Sequence, residues 1–87
     1  MSQKKISDAL KENRLLVGSK SVMKGIRNGR VSAVFFAENI PQSIRNDLEY
    51  YAKVSGVEVN AFKGNSAQLG ELCGKPFKIL LVGIKKE

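Results

Sequence analysis

The stretch Leu15-Leu16-Val17-Gly18-Ser19-Lys20-Ser21 constrains this chain more than any other. A short apolar run ends at a glycine, a small hydroxyl residue follows, and a basic helical pattern begins at once. That is how a strand turns sharply into a helix. Gly18 lets the backbone come close to whatever sits above the turn. Ser19 or Ser21 is placed to cap the helix, whose free N–H groups and positive dipole end favour an anion. Lys20 and Lys24 are four residues apart and share a helix face, with Arg27 one turn further on. A helix start with cations beside it is a place to put a phosphate.

The rest of the chain fits around this turn. Residues 2–12 read as a helix with Ile6, Ala9 and Leu10 on its apolar side, capped by Ser2 and ended by Asn13 in a left-handed conformation. Val22 and Ile26 continue the second helix to about Asn28. Gly25 inside it costs about 1 kcal/mol relative to alanine, which points to close packing against a neighbour. Val31–Ala37 is an apolar run of strand length, read as buried on both faces. Pro41 reads as the first helical position of a third helix. That helix carries Ile44, Leu48, Tyr51, Ala52 and Ser55 on one face and closes at Gly56. Val57–Phe62 alternates as a strand. Ser66 reads as the cap of a short fourth helix with Leu69, Leu72 and Cys73 inward, followed by a loop around Pro76. Lys78–Ile84 is the last strand, and 85–87 a solvated tail.

Helices between successive strands argue for an α/β fold: a three-layer α/β/α sandwich with a four-stranded mixed sheet. Continuous apolar strands fit such burial. At 87 residues the whole chain is expected to be one domain, burying roughly 60–65% of its unfolded surface. No apolar run approaches the ~20 residues of a membrane span, and no signal peptide is expected. Cys73 is the only cysteine, so no internal disulfide forms and a cytoplasmic location is the default.

In such sheets ligands gather outside the carboxyl ends of the strands. The loops there are Gly18-Ser19-Lys20-Ser21, Glu38-Asn39-Ile40-Pro41 and Phe62-Lys63-Gly64-Asn65. If their strands run parallel, all three share one edge. The net charge is +7, and residues 1–30 hold eight of the basic residues against Asp8 and Glu12 alone. Residues 31–87 are nearly balanced. Concentration of charge around a strand-to-helix turn points to a polyanion, with RNA favoured because loops of this mixture suit shape and splayed-out bases. Catalysis has little to stand on. Histidine is absent, Asp47 and Glu49 do not face each other on their helix, and no glycine precedes Gly18 at the spacing of a nucleotide loop. No enzyme activity, cofactor or metal is expected.

The blocks Val17-Gly18-Ser19-Lys20-Ser21, Ala37-Glu38-Asn39, 47–56 (with Glu49-Tyr50-Tyr51-Ala52-Lys53) and 62–70 stand in an order and spacing that resembles the kink-turn RNA-binding ribosomal protein family, over about residues 6–84. The closer likeness is to its archaeal and eukaryotic large-subunit branch. The resemblance implies a protein of the cytoplasmic ribosome, monomeric when free and with other ribosomal proteins as neighbours. Its RNA would be an internal loop kinked at tandem G·A pairs. It further implies that Gly18 allows close approach and Lys20 contacts phosphate or a guanine edge. Asn39 would bond a base, and Phe62 with Gly64 would form an apolar platform for an extruded nucleotide. Ser19, Ser21, Lys24, Ile40 and Lys63 line the same edge. Stand-alone relatives tend to carry Asn-Glu where Lys20-Ser21 stand, which favours the ribosomal branch. Two alternatives remain: a stand-alone kink-turn protein of RNA-modifying particles, and a small anion- or nucleotide-binding domain.

Overall fold

A computed structural model describes residues 2–86 of the chain. The order is α1 (Ser2–Lys11), β1 (Leu15–Val17), α2 (Ser19–Arg27), β2 (Val31–Phe36), α3 (Gln42–Ser55), β3 (Glu58–Ala61), α4 (Ser66–Leu72) and β4 (Leu81–Lys85). The sheet order is β1-β4-β2-β3. β2 and β3 pair in parallel, while β4 is antiparallel to both β1 and β2. The expected mixed sheet is therefore present, and its fourth strand is the reversed one.

Side chains alternate across the pleat and divide the core in two. Phe35, Val82 and Ile84 face Ile6 and Ala9 of α1 and Leu69 of α4 on one side. Val34, Phe36 and Leu81 face Val22 and Ile26 of α2 and Leu48 of α3 on the other. Two helices on each face complete the α/β/α sandwich. Tyr51 is half-buried on the α2–α3 side, where the Arg27 guanidinium lies 5.9 Å from its ring centroid. Tyr50 beside it is exposed. Gly25 explains itself by proximity: a β-carbon there would meet Leu16 Cδ1 and Val31 Cγ2, each at 2.7 Å, so α2 lies almost directly on the sheet.

Asn13 takes φ 57° and ends α1 as expected, and Ser2 is the first residue of that helix. Several other ends differ from expectation. Pro41 is the cap residue of α3, and Gln42 its first turn. Asn65, not Ser66, caps α4: its side chain accepts from Gln68 N–H while the Gln68 side chain accepts from Asn65 N–H. A reciprocal box satisfies two orphan donors, which a serine one place later cannot do. β2 is exposed at Ser32, where one extra residue interrupts the register with β4 and the hydroxyl donates to Ile84 O. β3 is shorter than the run 57–62. β4 begins at Leu81 because 75–80 is spent crossing the end of α4, and it extends through Lys85, so the tail is shorter than expected. Glu87 lies outside the described residues. Cys73 is buried packing, and desolvation pushes its thiol pKa up against a smaller opposing effect of Lys75.

The crossing at 75–80 depends on Gly70. A β-carbon at that position would collide with the carbonyl of Phe77, a backbone atom that cannot swing aside. Gly70→Ala is therefore expected to destabilise by about 1–3 kcal/mol, the usual cost of overpacking, although an unobstructed helical glycine gains from the same change. Thermal unfolding checks this, with an expected drop of roughly 5–15 °C for a domain of this size.

Candidate nucleic-acid interface

Because β4 is antiparallel to β1 and to β2, and β3 is parallel to β2, the strands β1, β2 and β3 all run the same way. Their carboxyl ends, and the three loops that follow them, lie on one edge of the sheet. The loops are also bonded together. Gly18 N–H donates to Leu81 O at 3.0 Å, and Ala37 N–H donates to Leu80 O at 2.9 Å. Glu38 N–H donates to Gly64 O at 2.9 Å. The Asn39 side chain spans to α4, accepting from Ser66 N–H at 2.8 Å and donating to Ser66 Oγ at 3.0 Å. Ser66 O in turn accepts from Ile79 N–H. The edge is a seam of hydrogen bonds, not a set of independent loops.

Gly18 starts α2 with φ 96° and ψ 150°, a region essentially restricted to glycine. A β-carbon there would meet nothing within 4 Å, so its outer side is open to an approaching ligand. Neither Ser19 nor Ser21 caps the helix, correcting that expectation: Ser19 is already its first residue, and no side chain accepts from the first turn. The intrahelical ladder opens with Val22 N–H to Gly18 O. The amides of Ser19, Lys20 and Ser21 thus precede that ladder and point toward the end where the dipole is positive. Lys20, Ser21 and Lys24 are exposed, and Ser19 is half-buried.

The second and third loops behave differently from expectation in one important respect. Phe62 is 2% exposed and packs with Phe35 and Leu69 inside the core. It has no free face on which a base could stack, so it does not form the expected platform. An aromatic ring at a strand end gains more from the α4 layer than from solvent. Gly64 is buried against it: a β-carbon would stand 2.7 Å from both Phe62 Cε2 and Gln68 Oε1. Phe62 and Gly64 hold the third loop in place, while Lys63 stays exposed. Ile40 is half-buried against the α2–α3 core. Asn39, expected to bond a base, spends its side-chain amide on the seam.

An aromatic ring is nonetheless exposed beside the first loop. Phe77 is 57% exposed. It lies in the sequence Lys75-Pro76-Phe77-Lys78, and this segment and Leu15–Ser19 form the walls of an open cleft of about 500 Å³. Sequence reasoning passed over Phe77 as part of a loop leading to a strand. The available signal was an aromatic residue bracketed by two lysines and preceded by a proline. Among the described residues, Lys20, Lys63, Lys75 and Lys78 have no ion-pair partner. Cations and helix-start amides therefore share this edge, and one exposed ring with two further lysines lies in the cleft beside Gly18 and Ser19, which suits a folded, partly unstacked phosphate polymer.

The pattern of the family described as "Ribosomal protein L7Ae/L30e/S12e/Gadd45 family" matches residues 1–87. The "Large ribosomal subunit protein eL30" of Methanothermobacter thermautotrophicus is 38% identical over 71 residues, covering 82% of this chain and 72% of that protein. That of Candida albicans is 37% identical over 75 residues, covering 86% and 71%. Among solved structures, a protein of unknown function from Bacillus halodurans superposes with a TM-score of 0.84 at 25% identity, over 93% of this chain and 80% of its own. The Giardia lamblia 15.5kD RNA binding protein superposes with a TM-score of 0.85, over 94% and 68%, and at 19% identity it shows the shared fold alone.

The Asn39–Ser66 pair makes a direct test of the seam. Asn39→Ala leaves the N–H of Ser66, a residue 3% exposed, without its partner. The expected cost is about 1–3 kcal/mol. Urea unfolding measures the loss, and amide hydrogen exchange should report faster opening at Ser66 and Ile79 than in β2.

Proposed function

The chain belongs to the Ribosomal protein L7Ae/L30e/S12e/Gadd45 family, and on that premise we propose that it is a structural RNA-binding protein of the large ribosomal subunit. It acts in the cytoplasmic ribosome, as a single RNA-binding domain and not as an enzyme. Its RNA is an internal loop folded into a sharp kink with tandem G·A pairs. The observation that carries this reading is the convergence of the Gly18 turn and the Asn39 and Lys63 loops on one hydrogen-bonded edge, with exposed Phe77 in the cleft beside Gly18.

Each part has a physical task. Gly18 admits the RNA backbone without a side chain in the way. The first amides of α2 and the charge of Lys20 meet phosphate oxygens, with Lys24 one turn behind. Phe77 offers a face to an extruded base, and Lys75 and Lys78 hold the phosphates on either side of it. Asn39 keeps the second loop at the right height, and any base it meets uses the remaining capacity of its amide. Lys20-Ser21 presents cation and hydroxyl in place of a carboxylate, which favours phosphate contact over acceptance from a guanine amine. No step requires chemistry on the RNA: the protein selects the bent conformation by binding it better than the extended one.

Titration of the purified chain with a kinked RNA, and with the same RNA carrying replaced G·A pairs, tests the reading. Clear preference for the kinked form is expected, and equal affinity refutes it. Lys20→Ala should lower affinity several-fold and reduce the slope of log K against log salt by roughly 0.7–0.9, with the melting temperature nearly unchanged. Phe77→Ala should cost about 1–3 kcal/mol of binding free energy without loss of stability. Phe62→Ala should do the opposite first, destabilising the fold by about 3–5 kcal/mol.

A further inference from the structure

At the end of the molecule away from the loop edge, α2 and the strand ends leave a second cationic feature. A cleft of about 280 Å³ runs along the flank of α2, lined by Ser21, Lys24, Asn28, Arg30 and Lys85 with Leu16 as its apolar floor. Among the described residues no carboxylate lines it. Among the described residues Lys24, Arg30 and Lys85 have no ion-pair partner. Arg30 and Lys85 are 55 residues apart in the chain, and the sheet brings them together: Val31 pairs with Lys85, and Lys86 N–H donates to Arg30 O at 2.8 Å. Arg30 N–H donates to Gly25 O at 2.9 Å, and Lys85 N–H to Arg14 O at 2.7 Å. Their backbones are fixed, so two cations stand at a set place without ordering a loop first.

We infer that this cleft carries the phosphate backbone of the stem that leaves the kink, extending the RNA footprint from Lys20 down α2 to Arg30 and Lys85. The inference rests on the RNA-binding reading above. Charge complementarity and continuity favour RNA as the occupant. Ser21 and Lys24 belong both to the loop-edge site and to the upper end of the cleft. α2 runs nine residues from Ser19, about 13 Å at the helical rise. Ser21 and Asn28 add hydrogen-bonding capacity to phosphate or sugar, which positions a stem without reading its sequence.

The test uses the full chain, a kinked RNA with a long stem on this side, and the same RNA with that stem cut to two base pairs. The variant is Arg30→Gln with Lys85→Gln, both exposed side chains whose backbones carry the structure. On the long-stem RNA the variant should bind roughly tenfold more weakly and lose roughly 1.8 from its salt slope, two phosphate contacts at ~0.9 each. On the short-stem RNA, variant and parent should bind alike, and Lys20→Ala should still weaken both RNAs. Equal binding of variant and parent to the long-stem RNA overturns the inference, while a retained kink preference leaves the proposed function standing. Equal loss on both RNAs also overturns it, as the signature of diffuse charge. Absence of any kink preference in the parent chain removes the reading itself and this extension with it.

Discussion

The last strand holds the molecule's working edge together. β4 is inserted between β1 and β2 against their direction, and two adjacent carbonyls at its entrance, those of Leu80 and Leu81, receive the amides of Ala37 and Gly18. Each bond is modest alone, about 1 kcal/mol net. Together they fix where two loops leave the sheet, and the bonds from Glu38 to Gly64 and from Asn39 to Ser66 bring in the third. A surface that must hold a bent polyanion benefits from being ordered before the ligand arrives, since rigid loops lose less freedom on binding.

Charge and shape divide the work on that edge. Among the described residues the lysines of this edge meet no acidic partner, which leaves their field directed outward. The apolar residues of the loops mostly face the other way, into the two core layers. Phe77 is the exception, and it is held on the surface because 75–80 is pressed against α4 at Gly70. A glycine chosen for packing on one side of the chain thus decides the position of an aromatic ring on the other.

Much of this was legible in the residues. The 3.6-residue stripes of α2 and α3, the apolar run of β2 and the glycine and asparagine stops located the elements, and their alternation implied the sandwich. The common edge of the three loops was legible only as a condition, because strand direction depends on which strand inserts where. Phe62 was misread since a strand-end aromatic faces core or solvent according to whether a helix lies over it, a tertiary fact. Phe77 was missed for the converse reason. Asn65 and Ser66 are both good caps by residue type, and the reciprocal Gln68 decided between them. The basic cleft between Arg30 and Lys85 was beyond sequence reasoning, since its two far cations meet only through the β2–β4 register.

The position of β4 has a consequence for how the protein is made. Leu15 pairs with Ile84, so the first strand waits for almost the whole chain before it finds its neighbour. A nascent polypeptide ending before Leu80 already contains the glycine turn, Asn39 and the lysine loops, yet lacks the carbonyls that arrange them. Such long-range pairing is slow and cooperative. Competence to seize RNA therefore arrives only once β4 has been made, and a copy terminated before it carries the contact residues without the means to display them.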